Sequence, residues 1–153
     1  MSRRFRFNLQ PALDLRRRIE EERQMEVARA LRILNDARSE LWRLQAEFRR
    51  YSDVLRNDHR SLQADELRMH YAHLEYVDRA ITRQESTVQR CRVDHERARL
   101  RLVDAAKDKK VLEKLKERRF AAHVLNDFAI EQKELDDTNA RRWSRSLAAG
   151  GMP

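Results

Sequence analysis

The chain has 153 residues, of which 39% are charged, with a net charge of +8, one cysteine, two glycines and two prolines; its mean hydropathy is −0.92. The length suits one domain, but this composition does not supply a spherical core. A stretch from 12 to 149 without Gly or Pro, rich in Arg, Glu, Leu and Ala, specifies long helices rather than disorder.

The opening Arg3-Arg4-Phe5-Arg6-Phe7-Asn8-Leu9 alternates basic and apolar residues, as a short extended arm would. Asn8 ahead of Pro11 predicts a helix start, since Asn caps well and Pro is tolerated in the first turn. Helix 1 is expected over about 9–57. Its core is Val27, Ala30, Leu34, Ala37, Leu41, Leu44, Phe48, Tyr51 and Leu55, four heptads of nonpolar a/d positions. Glu20 and Arg23 interrupt the same seam upstream, where looser packing is expected. A turn over about 58–64 follows, in which Ser61 or Asp65 is expected to cap the next helix.

Helix 2, over about 65–146, continues the pattern through Leu67, His70, Leu74, Val77, Ile81, Gln84, Val88, Cys91, His95, Ala98, Leu102, Ala105, Lys109 and Leu112. Folded back, Phe48 meets Leu74, Leu41 meets Ile81 and Leu34 meets Val88. The fold class is thus all-α, an elongated antiparallel two-helix coiled coil, with a disordered tail at 147–153. A homodimer of unbroken helices is the rival arrangement.

Charge falls in blocks: +5 over 1–18, zero over 19–106, +4 over 107–119 and −4 over 120–137, with three arginines thereafter. The hairpin register sets Arg16, Arg17 and Arg18 beside Lys107, Lys109 and Lys110, and Arg3, Arg4 and Arg6 beside Lys116, Arg118 and Arg119. Like charges so close are mildly destabilising, so this base is expected to fray or await a partner. Beyond Lys116, Phe120, Val124, Phe128 and Leu135 form an apolar stripe that helix 1 does not reach. Either it is a docking surface, or Phe5, Phe7 and Leu9 fold over part of it.

No chemistry-bearing constellation stands out. His70 and His73 share a helix face without further ligands at helical spacing, so no metal site is expected. Cys91 is a seam residue, and a lone cysteine makes no internal disulfide. A glycine-rich phosphate loop is absent, no cofactor is expected, and the carboxylates lie on solvated faces; the reading is not an enzyme. The opening ten residues lack the apolar run of a signal peptide, and no segment has the apolar length of a membrane span, so a soluble, cytoplasmic protein is expected. A pI near 10.2 keeps a basic nucleic-acid-binding coiled coil as an alternative, although no known binding motif is present and nucleic acid is not the expected partner.

The segment from Phe5 to Arg16, FRFNLQPALDLR, resembles the F-x-F-x-L-x-x-(V/A)-L-x-x-R opening of the flagellar export protein FliJ family. The acidic continuation Ile19–Glu26, the later Lys114–Arg119 (KLKERR) and Glu131–Asp137 (EQKELDD) are similar too, and the likeness covers essentially the whole chain. Many relatives carry a glycine in the turn that is missing here. The resemblance implies a fold similar to the central stalk subunit of rotary ATPases, and a soluble component of the flagellar type III export apparatus, peripheral to the inner membrane at the basal body. Implied partners are the hexameric export ATPase FliI, the gate protein FlhA, FliH and export chaperones. The implied role is to promote ring assembly, couple the ring to the gate and escort chaperones, without catalysis. An equivalent protein of a virulence type III secretion system is the alternative. Candidate ATPase-contacting residues at the hairpin base are Arg16, Arg17, Arg18, Lys109, Lys110, Arg118, Arg119, Phe120, Val124 and Phe128. Candidate gate-contacting residues nearer the tip are Leu44, Tyr51, Val77 and Ala80, of which all but Ala80 are also seam positions.

Overall fold

A computed structural model describes residues 3–150. Two helices make up the regular structure of those residues: α1, Gln10–Asp58, and α2, Ala64–Ala149. The tail expected from 147 is helical through Ala149, while 151–153 lie outside the described residues. The chain divides into two compact units, a hairpin unit (Arg18–Ala106) and a terminal unit made of the residues up to Arg17 and those from Lys107 onward.

In the hairpin unit the heptad seam is the core. Every seam position from Val27 to Leu55, and every one from Leu67 to Ala105, is buried or half-buried. Leu34, Ala37 and Val88 form one cluster with Leu41 and Cys91 packed against it, so Leu34 meets Val88 as the register requires. Each fully buried Val or Leu contributes about 1.5–3 kcal/mol. The helices run antiparallel: Ala37 bonds to Gln84, Glu47 to His73, and the Tyr51 ring lies by His70. Polar seam residues are accommodated by such bonds, as when the Gln84 amide donates to the Ala37 carbonyl at 2.9 Å. Upstream, where Glu20 and Arg23 break the seam, no α1 side chain between 18 and 33 is buried, and Arg23 donates to Glu26 at 2.8 Å.

The turn departs from expectation in how it is capped. The Ser61 N–H and hydroxyl both donate to the Asp58 carbonyl, at 2.9 and 2.8 Å, so Ser61 ends α1 instead of starting α2. Gln63 takes the capping position: its carbonyl accepts the first helical bond from Leu67, and its N–H donates to the Glu66 carboxylate at 3.3 Å, one half of a capping box. Asp65 falls in the first turn with Glu66, where negative charge meets the positive end of the helix dipole. No described residue has a positive φ, so the connection needs no left-handed residue and tolerates the missing glycine.

Candidate docking surface

The terminal unit is built on Leu13, which is 0% exposed, and on the buried Phe7. Phe7 and Leu13 both belong to the Phe5–Arg16 motif, and the burial of Phe7 draws the arm against α2. The Phe5 ring meets Phe120 edge-on at 5.3 Å and tilts against His123. The His123 Nε2 lies 2.7 Å from the Arg3 carbonyl and 3.4 Å from the Asp127 carboxylate. The arm's last turn closes with the Gln10 N–H donating to the Phe7 carbonyl, and the first helical bond runs from Leu13 to Leu9. Leu9, not Asn8, therefore holds the capping position, and Pro11 lies within the first turn, where an N–H is dispensable.

The expected like-charge clash is replaced by pairing. Arg16 reaches Asp108 at 3.3 Å. Arg17 reaches Glu113 at 3.8 Å and Asp14 at 4.0 Å. Lys116 donates to the Gln10 side-chain oxygen at 2.8 Å, and the Gln10 amide donates to Asp14 at 2.9 Å. Block sums of charge concealed this, because two of the three acids of 107–119, Asp108 and Glu113, meet α1 while several cations do not. Lys109 is half-buried with an interaction of its own. Lys110, Arg118 and Arg119 are exposed, and the Arg119 guanidinium lies over the Phe7 ring at 5.7 Å. Arg18 belongs to the hairpin unit and is exposed there.

The arm covers only the start of the apolar stripe. Phe120 is half covered by Phe5, but Val124, Leu125 and Leu135 stay exposed, and Phe128 is 66% exposed. The arm therefore folds over the start of the stripe through Phe5, and the remainder is left exposed. Sequence reasoning missed His123; its signal was its place one turn past Phe120, on the face that the Arg/Phe arm meets.

In the hairpin unit Leu44 and Val77 are 7% and 2% exposed; they are core residues that reach the surface only at a shallow groove. Tyr51 is half-buried and packs on His73 with ring centroids 4.3 Å apart. Ala80 is half-buried and lines a shallow polar groove with Glu40, Arg43 and the exposed Tyr76. Arg43 bonds Glu40 and reaches Glu47, and Glu47 bonds His73 at 3.0 Å. The Arg43 hydrogen bond and charge hold the Glu40 carboxyl below the usual carboxylate range. Among the described residues no group of three or more His, Cys, Asp or Glu side chains could hold a metal ion. No helix there is long and apolar enough to cross a membrane.

Two long helices with an antiparallel heptad seam define an all-α protein of the coiled-coil class. The family model described as Flagellar FliJ protein matches residues 5–148, and the chain belongs to the FliJ family. That family is a non-enzymatic component of flagellar protein export that interacts with other parts of the export apparatus. No curated protein and no solved structure matches the chain significantly.

Proposed function

We propose that this protein docks onto the ring of the flagellar export ATPase FliI through its terminal unit, promotes ring assembly and couples the ring to the export gate. It has no catalytic activity of its own. Contacts with FlhA, FliH and export chaperones belong to the same reading, and they hold the protein at the cytoplasmic face of the inner membrane. The observation that carries the proposal is the exposed run Val124–Leu125–Phe128, left bare by the arm and adjoining the exposed Arg118 and Arg119. An exposed apolar stripe that cations adjoin at one end, on so polar a chain, is what a protein-binding surface presents. For the gate, Tyr51 and Ala80 remain as surface candidates, since Leu44 and Val77 are buried.

Arg16 and Arg17 are poor probes of docking, because reversing their charge would break ion pairs within the unit. A pull-down with the cognate export ATPase should instead compare wild type with Val124→Glu/Phe128→Glu and with Lys110→Glu/Arg118→Glu. Retention of wild type and loss of both variants is expected. Retention of all three would remove docking from this surface, and no retention of wild type would end the ATPase reading.

A further inference from the structure

The end of α2 carries a pattern that the docking stripe does not use. From Thr138 to Ala149 the helix holds Arg141, Arg142 and Arg145 and no acidic residue. At about 100° per residue, Ala140, Trp143 and Leu147 share one face at i, i+3 and i+7. Arg141 and Arg145, with Arg142 beside them, occupy the opposite face. Trp143 is 68% and Leu147 62% exposed. Among the described residues none of the three arginines has an ion-pair partner. The hydroxyls of the segment turn inward: Thr138 donates to the Glu134 carbonyl at 2.7 Å, Ser144 to Arg141 at 3.0 Å and Ser146 to Trp143 at 2.7 Å. Their donors are satisfied within the helix.

We propose that residues 138–149 form an interfacial helix that binds the surface of an anionic lipid bilayer. Trp143 and Leu147 enter the boundary between headgroups and acyl chains, and the three arginines engage lipid phosphates. A helix with cations on one face and Trp and Leu on the other, of low mean hydropathy, lies in the plane of a membrane and does not span it. Tryptophan suits that depth because its ring is apolar and its indole N–H still finds a partner. Arginine side chains lay their stems along the apolar boundary and keep the guanidinium in the headgroups. A nucleic acid would use the basic face and leave Leu147 and Ala140 in water, whereas a bilayer surface uses both faces. The contact is the chain's own and does not depend on the ATPase.

The test uses full-length protein carrying Trp42→Phe, so that Trp143 is the sole tryptophan. The protein is mixed with vesicles of phosphatidylcholine alone, or with about one-third phosphatidylglycerol. With anionic vesicles Trp143 emission is expected to shift to the blue, with no shift on neutral ones. Replacing Arg141, Arg142 and Arg145 by Ala is expected to lower partitioning about 100-fold, at roughly fivefold per arginine, with helix content checked by circular dichroism. Co-flotation without a blue shift would overturn the proposal, since another basic block would then be holding the protein. Unchanged partitioning of the triple variant would overturn it as well. Quenching of Trp143 by a single-stranded oligonucleotide, with no response to anionic vesicles, would replace it with a base-stacking site. The emission experiment keeps all three arginines, so it stands even if the triple variant unfolds.

Discussion

Leu13 has no exposed surface although it stands only one turn into α1. Its removal should be felt in the terminal unit before anywhere else. Leu13→Ala is expected to cost about 2–5 kcal/mol of local stability. Amide exchange should quicken at 10–17 and in the facing part of α2 while protection at 34–44 stays unchanged. Glu40 gives a prediction of a different kind. Its carboxyl is held low first by the Arg43 hydrogen bond and then by the Arg43 charge. A carboxyl with a depressed folded value contributes stability above its ordinary value of 4.5, and that contribution is lost as pH falls through the lowered one. Melting curves at about pH 7 and about pH 3 should show Glu40→Gln losing part of the acid sensitivity of the wild type. The pair lies at the surface, where solvent screens it, so the difference will be small.

At the scale of the helix, Gln84 sits on the seam and donates to the Ala37 carbonyl, which is also the natural acceptor of a helical bond. Gln84→Leu replaces that contact with apolar burial and is expected to leave stability unchanged or raise it by up to about 1 kcal/mol. A single polar seam residue can fix register at a cost in stability, so cross-linking between the helices should then report more than one alignment. The seam itself was legible because burial on a helix has a period, and Val27 through Leu55 keep it without a gap. The second helix was legible through its polar interruptions because each still falls on the same stripe. What the sequence concealed was pairing at a distance. Asp108 and Glu113 answer Arg16 and Arg17 across ninety or more positions, and only the fold brings them together. Ser61 was misread because a serine between two helices can serve either, and which carbonyl it meets depends on where α1 unwinds. Tyr51 was legible as a seam residue but not as the partner of His73, since aromatic contact depends on ring orientation.

Over the whole molecule, the balance of +8 divides into cations answered within the fold and cations left on the surface. Arg16, Arg17 and Lys116 are engaged; Lys110, Arg118, Arg141, Arg142 and Arg145 are exposed. Exposed charge acts mainly on the rate of encounter. Association with the export ATPase, followed by stopped flow from about 50 to about 500 mM salt, is expected to slow at least tenfold, while dissociation changes little. The closing of residues 59–63 by the Ser61 hydroxyl, the Glu66 carboxylate and backbone groups has a practical corollary. A fluorescent protein or affinity tag at the C-terminal end would be close in sequence to Trp143 and the arginines, and one ahead of the arm would burden the extended segment that Phe5 and Phe7 hold to α2. The exposed tip faces neither hazard, and because no left-handed residue is required there, a reporter can be spliced between Ser61 and Leu62, which keeps the Ser61–Asp58 and Gln63–Glu66 bonds and leaves both ends untouched.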